Sequence, residues 1–263
     1  MSLILRKDPI VEAVCEFQLD APDWDLTVPG AVYALIKNEF PEKRQTAQVN
    51  FQIEERGDGI HPSAQTSVDR MQFWSRSKTQ VVQVGPQHLS VHQFKPYTGW
   101  PLFKSHIENI LEQYEKAAPF RAIKAMSLRY INQIPMPHDE SGFGDVLHTI
   151  PNIPGDGDQI WASWFQQVEI VKPRHNAILG LRCGHLPQHS VGNQAVVLEE
   201  GQASHLIMFD LIFVHIGKQA IVRESVSDWL EIAHEEISKM FFDSIVEEHL
   251  PHFEPEVKKD DAS

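Results

Sequence analysis

The sequence predicts an α+β protein built from two units of similar element order, and three observations support this prediction. Segments with strand-like alternation outnumber helical segments. Each half of the chain closes with one long amphipathic helix. The order strand, short helix, antiparallel strands, long helix occurs in residues 9–117 and again in residues 123–249, and such a recurrence usually means two units that share one core. The alternative is a single mixed sheet with helices on one face and no internal symmetry.

The expected boundaries follow from this recurrence. Residues 1–120 form the first unit, residues 121–253 form a second unit that shares its core, and residues 254–263 form a frayed acidic tail. A chain of 263 residues buries about 70–75% of its unfolded surface in a domain of this size, so it needs no metal or disulfide for stability.

The first unit opens with a strand at residues 10–17, where apolar and polar side chains alternate and Glu12 and Glu16 share one face. Residues 31–40 carry apolar side chains at helical spacing before Pro41, which predicts a short helix. Three further strands are expected at 47–55, 71–84 and 88–94, with a turn near Ser77-Lys78 inside the second. A polar segment at 57–69 separates the first two of these strands. The unit closes with a long helix at 100–117, whose apolar stripe includes Leu102.

The second unit follows the same order with little residue identity. It opens with a strand at 125–135 and closes with an amphipathic helix at 226–248, for which Ser225 or Ser227 is the expected cap. The other expected elements are a loop at 139–160 around a short helical piece at 143–149, and strands at 164–171, 177–183, 195–200 and 206–215.

Composition and charge narrow the possible functions. The 36 acidic and 23 basic side chains give a net charge of −13, which disfavours direct binding to nucleic acid because phosphate contacts dominate such binding. No apolar run approaches the ~20 residues of a membrane span, and the N-terminus lacks the apolar region of a signal peptide. We therefore expect a cytoplasmic protein without membrane contact, in which Cys15 and Cys183 remain thiols.

Four segments carry a resemblance to a known family: Pro9–Phe17 (PIVEAVCEF), Pro96–Trp100 (PYTGW), Leu128–Asn132 (LRYIN) and the helix that contains Ala233-His234-Glu235. The chain resembles the sporadically distributed, uncharacterised bacterial proteins of about this length whose N-terminus reads P-I-V-E-A-V. The resemblance spans nearly the whole chain. It implies no activity, substrate or cofactor, because none is established for that family. By analogy, a patchy distribution suits a mobile or defence-associated system.

Polar residues on the strands that open the two units form a candidate binding site. Glu12 and Glu16 lie on the first strand, and Arg129 and Asn132 lie on the strand that opens the second unit. If the units are related by pseudo-symmetry, these strands are neighbours and Arg129 can bind a carboxylate through two nitrogens. One interpretation is a groove in which the four residues bind a ligand. The other, which we favour, is an ion pair that fixes the strand register.

Cys183, His185 and His189 are the densest group of potential metal ligands, since thiolate and imidazole suit zinc. No second Cys/His pair at the spacing of a zinc finger follows. The sequence therefore favours a polar turn over a metal site, and it predicts no cofactor.

Two aromatic residues, Tyr97 and Trp100, precede the first long helix. We expect them to anchor that helix by packing against it. A stacking platform for a ligand is the less favoured interpretation.

No catalytic motif emerges, so the expected function is that of a non-catalytic binding or interaction protein. The expected partner is another protein or a second copy of the chain, in a homodimer. The alternative is a metal-dependent or carboxylate-using hydrolase whose site assembles from dispersed residues. Those residues are Glu12, Glu16, Arg129, His185 and His189.

Overall fold

A large antiparallel sheet organises the protein. The computed structural model describes residues 3–56, 59–136, 143–150, 164–185 and 205–257. In chain order the strands are β1 (Leu3–Leu5), β2 (Ile10–Leu19), β3 (Glu42–Arg56), β4 (Gly59–Trp74), β5 (Gln80–Gly85), β6 (His88–Phe94), β7 (Ile123–Met136), β8 (Trp164–Lys172), β9 (Ala177–His185), β10 (His205–His215) and β11 (Pro255–Val257). The α-helices are α1 (Val28–Ile36), α2 (Trp100–Ala117) and α3 (Val226–Ser244), and 3-10 segments lie at Phe143–Asp145, Pro173–His175, Arg223–Ser225 and Glu247–Phe253.

Nine of the described strands form one sheet in the order β3-β4-β5-β6-β2-β7-β10-β9-β8, and every neighbouring pair is antiparallel. β2, from the first half of the chain, lies beside β7, from the second half. The outer neighbour of β2 is β6, and that of β7 is β10. β1 and β11 pair in a separate two-stranded sheet.

The two faces of the nine-stranded sheet differ in what packs on them. The helices pack on the face that carries Cys15 and Leu128, and there the ring centroid of Phe209 lies 6.0 Å from that of Phe241 in α3. We call this side the helix face. The other side, the polar face, carries Glu12, Glu16, Ser90, His92, Ser127, Arg129, Arg182 and Asp210.

The core lies between the helix face and the helices. It is one cluster of buried apolar side chains that continues through both halves of the chain, with Phe17 and Phe103 from the first half and Phe213 and Leu230 from the second. Each such side chain contributes about 1.5–3 kcal/mol when it is fully buried. No helix in the described ranges is long and apolar enough to span a membrane.

The mixed α+β class predicted from the sequence is confirmed, with a large antiparallel sheet and a long helix near the C-terminus. The expected bounds of β6 and α2 match those of the structure. Alternation and helical spacing are strong in these two segments because each buries one face against the core.

Other elements of the first half differ from expectation. Residues 59–69, expected to separate two strands, belong to β4 and pair with β3, because backbone pairing does not require apolar alternation. The first helix runs from Val28 to Ile36 instead of 31–40, since Pro29 is well suited to a first turn. Leu102, expected to be buried, is 64% exposed.

The second half also differs in places. The expected helical piece at 143–149 is a 3-10 turn at Phe143–Asp145, and the last helix ends at Ser244 instead of residue 248. The tail was expected to fray from residue 254, but Pro255–Val257 form β11 and pair with β1. Residues 258–263 and the strand expected at 195–200 lie outside the described residues.

Candidate functional site

The two strands on which the candidate site was expected are direct neighbours. In the register of β2 and β7, Val14 lies opposite Arg129 and Glu16 lies opposite Ser127. Diagonal neighbours across an antiparallel pair are about 7–8 Å apart, so Glu12 and Glu16 lie on either side of Arg129. The polar face therefore brings together three of the four expected residues.

Arg129 binds a carboxylate through two nitrogens, as the sequence suggests, but the carboxylate is that of Asp210. Nε of Arg129 donates to Oδ1 over 2.7 Å, and Nη2 donates to Oδ2 over 2.6 Å. Nη1 of Arg182 lies 3.8 Å from the same Oδ2. The hydrogen bonds that Arg129 donates to Asp210 raise the pKa of Arg129, and the charges of Glu12 and Glu16 add to this effect. Three strands, β7, β10 and β9, are thus connected on the polar face.

Glu12 is held by His92 on β6, the strand that pairs with the edge of β2 opposite β7. Its Oε1 accepts a hydrogen bond from Nδ1 of His92 over 2.8 Å. Nε2 of His92 lies 2.8 Å from Oγ of Ser90 and 3.2 Å from Nε2 of Gln83. Because a carboxylate only accepts, Nδ1 of His92 is the donor to Glu12. This arrangement fixes the Glu12 carboxylate against β6.

Glu16 lines a groove over the ends of the central strands. The groove has a volume of about 420 Å³ and lies between β2, β7 and the start of β6. Nη1 of Arg70 lies 2.9 Å from Nε2 of His88 at its edge, and the imidazole accepts because a guanidinium only donates. Among the described residues, no hydrogen bond or ion pair holds the carboxylate of Glu16. The polar side chains that line the groove are Glu16, Gln18, Arg70, Gln87, His88 and Ser127.

Asn132 does not join this set, although the sequence grouped it there. It lies on the helix face and is 2% exposed. Its Nδ2 donates to the carbonyl oxygen of Phe209 over 2.9 Å. Asn132 is three residues from Arg129, and residues an odd number apart on a strand point to opposite faces. The side chain therefore satisfies a backbone carbonyl at the β7–β10 pair and is not available to a ligand on the polar face.

The weak metal candidates occupy the helix face of β9. Sγ of Cys183 accepts from Nε2 of Gln166 over 3.0 Å, and burial raises the pKa of this thiol, which disfavours the thiolate that metals prefer. Nδ1 of His185 lies 3.4 Å from the carbonyl oxygen of Leu206. His189 lies outside the described residues. Within the ranges that the structure describes, no group of three or more His, Cys, Asp or Glu side chains could hold a metal ion.

The dispersed residues suggested for a hydrolase are divided between the two faces of the sheet. Glu12, Glu16 and Arg129 lie on the polar face, whereas His185 lies on the helix face. A sheet separates the two groups, so these four residues cannot contact one substrate atom together.

A second polar cluster lies on the helix face, between α2 and α3. The hydroxyl oxygen of Tyr130 lies 3.3 Å from that of Tyr97 and 3.1 Å from Nδ1 of His234. The ring of Trp100 stacks on His234, with centroids 4.3 Å apart, and its Nε1 donates to Glu231 over 2.8 Å. Trp100 thereby connects the start of α2 to α3. The sequence predicts that Tyr97 and Trp100 anchor the first long helix, but it does not predict that they meet Tyr130 and His234.

Burial changes the protonation of this cluster. It lowers the pKa of His234 to about 4, so the imidazole is neutral near pH 7 and accepts from a hydroxyl. It raises the pKa of Asp8 to about 6. Burial, with a smaller contribution from the charge of Asp8, also raises the pKa values of Tyr97 and Tyr130. Both tyrosines therefore keep their protons and can donate hydrogen bonds.

Comparison with known proteins adds no family to this description. No protein-family model matches the chain, and no curated protein matches its sequence. The segments that carry the resemblance nevertheless meet in space, because Trp100, Tyr130 and His234 belong to three of them. The sequence signals that point to this cluster are this shared membership and the aromatic pair Tyr97 and Trp100 before the first long helix.

Proposed function

We propose that the protein is a non-catalytic binding protein that holds a ligand in the groove on its polar face. The observation that carries this proposal is the carboxylate of Glu16, which lines the groove without a partner among the described residues. A carboxylate in such a position favours a ligand with an amino or guanidino group, since charge-assisted hydrogen bonds are the strong ones. A volume of about 420 Å³ lies within the range of sites for small ligands or short peptide segments.

The other charged residues on the polar face support a binding function in preference to a catalytic one. Arg129 is occupied by Asp210, and Glu12 is occupied by His92. Groups that already hold one another supply a fixed and complementary surface, whereas proton transfer needs a group that is within reach of the substrate. Among the acidic residues of this face near the groove, Glu16 is the one that remains available to a ligand.

Native mass spectrometry of the full chain, purified without chelator from cells that express it naturally, tests the proposal. We expect the wild-type protein to carry a bound mass. We expect Glu16→Gln to lose that mass, because glutamine keeps the size of the side chain and removes its charge. Glu235→Gln is the matched control, since Glu235 is exposed on α3, on the other side of the sheet.

Two outcomes contradict the proposal. One is a wild-type protein with no bound mass, and the other is a bound mass that both variants retain equally. A bound metal ion that depends on Glu16 would instead favour the alternative of a metal-dependent hydrolase, because carboxylates are metal ligands.

We also propose that the two halves are duplicated units. The strand order supports this, since β2 and β7, the first strands that each half contributes to the nine-stranded sheet, are antiparallel neighbours. Each also pairs with the last strand that its own half contributes to that sheet, β6 or β10. Each of those last strands is followed by a long helix, α2 or α3. An antiparallel central pair is compatible with a local two-fold axis between the halves.

We further propose that the chain belongs to the sporadically distributed bacterial family that it resembles and acts in the cytoplasm as part of a mobile or defence-associated system. The meeting of Trp100, Tyr130 and His234 from three of the resembling segments supports the membership. The absence of a suitable span among the described helices is compatible with the location. The role in such a system rests on analogy alone.

A further inference from the structure

We propose that β8 pairs with β8 of a second copy of the chain, so that two nine-stranded sheets become one continuous sheet in a homodimer. β8 is the last strand in the sheet order, and among the described residues its one partner is β9. A strand at the edge of a sheet presents unpaired N–H and C=O groups to any strand that can lie beside it. This inference does not depend on the groove, which lies over the central strands.

Three apolar side chains of β8 are exposed at this edge. Phe165, Val168 and Val171 are 65%, 45% and 59% exposed, although solvent-exposed strands usually carry charge or proline at such positions. The opposite edge of the sheet differs, since β3 begins with Glu42-Lys43-Arg44. The contrast marks the β8 edge as an interaction surface.

The apolar residues of β8 are complementary to one another in an antiparallel register. With Val168 opposite Val168 of the second copy, Phe165 lies opposite Val171, and the two-fold axis repeats this contact. In the pairing of β8 with β9, Val168 lies opposite Leu181 on the helix face, whereas Phe165 and Val171 lie on the polar face. Paired residues keep the same face in this register. Each of the three exposed apolar side chains therefore lies beside an apolar side chain of the second copy.

The charges of β8 fit the same register. Its two charged residues are Glu169 and Lys172, which come to lie opposite Gln167 and Trp164 of the second copy. No like charges face each other, and Nε2 of Gln167, which donates to Glu169 of its own chain over 3.1 Å, is an amide donor suited to the second Glu169. A shift by one residue would instead place Val168 opposite Glu169 and exchange the faces.

Sedimentation equilibrium of the full chain tests this pairing. We expect a dimer for the wild-type protein. Val168→Lys places two like charges opposite each other at the axis, and we expect it to raise the dissociation constant about tenfold or more. Val222→Lys is the matched control, since Val222 is 59% exposed and lies outside β8, and we expect it to leave the constant unchanged.

A cysteine cross-link tests the register independently, in case Val168→Lys perturbs folding. We expect oxidised Val168→Cys to form a disulfide-linked dimer, because directly opposite Cβ atoms are about 4.5–5.5 Å apart, close to the spacing a disulfide requires. We expect Val222→Cys to remain unlinked, and the native Cys15 and Cys183 are buried. A wild-type monomer, a dimer that Val168→Lys leaves intact, or a Val168→Cys variant without a cross-link would each overturn the proposal.

Discussion

Arg129 on β7 and Asp210 on β10 form a two-point ion pair across neighbouring strands of the polar face. The Asp210 side chain is 11% exposed and the Arg129 side chain is 35% exposed. The pair is therefore only partly screened by water, and its two hydrogen bonds use both oxygens of the carboxylate. It connects β7 to β10 on the side of the sheet where the helices do not pack.

We predict that this pair contributes measurably to stability. A double-mutant cycle with Arg129→Met and Asp210→Asn is expected to give a coupling free energy of about 1–2 kcal/mol, because the hydrogen bonds join charged groups that are partly buried. Urea denaturation of the four proteins at one pH measures the free energy of unfolding that enters the cycle.

The i,i+4 pair Glu112–Lys116 on α2 is the control for this cycle. Its ammonium and carboxylate lie 2.6 Å apart, and both side chains are 55% exposed. Solvent-exposed helix pairs of this kind contribute little to stability, because water screens the attraction between the two charges. If the cycle at Arg129 and Asp210 gave no larger coupling than this control, the pair on the polar face would have no special structural role.

We predict that the hydroxyl of Tyr130 stabilises the helix face. Tyr130→Phe removes the hydrogen bonds to Tyr97 and to Nδ1 of His234 while it keeps the buried ring. Because it leaves polar groups in the interior without a partner, we expect a loss of about 1–3 kcal/mol in the free energy of unfolding, measured by urea denaturation.

Tyr114→Phe is the matched control, since Tyr114 is also fully buried. In the part of the chain that the structure describes, its hydroxyl has no hydrogen-bond partner. Its removal is therefore expected to leave stability unchanged or slightly raised. Equal losses in the two variants would show that the bonds of Tyr130 are not the cause.

The sequence predicts the locally determined parts of this fold well. β6 and α2 have strong alternation or helical spacing, so their bounds can be predicted without knowledge of their partners. The partner of Arg129 could be predicted as a carboxylate, but Asp210 is 81 residues away along the chain. The register of β7 and β10 brings the two together, and nothing in either segment alone specifies that register.

Strand alternation by itself argues against grouping Asn132 with Arg129. Arg129 and Asn132 lie three residues apart on one strand, so strict alternation already places them on opposite faces. The exposure of β8 was not predictable in the same way. Its apolar residues fit a buried central strand equally well, and only the order of the described strands places β8 at an edge.

We predict that His106 makes the protein less stable in acid. His106 on α2 stacks on Phe40, lies 3.4 Å from the amide nitrogen of Gln80, and has no partner for Nε2 among the described residues. Burial lowers its pKa in the folded protein to about 4, from an ordinary 6.5. Between these pH values the unfolded chain binds a proton that the folded protein does not, so the free energy of unfolding falls as the pH falls from about 6.5 towards about 4.

His106→Phe keeps a ring against Phe40 and removes this titration. We expect the variant to lose about 1–2 kcal/mol less than the wild-type protein between pH ~7.5 and pH ~4.5, measured by urea denaturation. Asp8, whose pKa burial raises to about 6, changes stability in the opposite direction because the folded protein binds its proton more tightly. His234, with a pKa of about 4, acts in the same direction as His106. Both groups remain in both proteins, so their contributions cancel in the difference. A difference in stability that does not vary with pH would show that His106 is protonated equally in the folded and unfolded states.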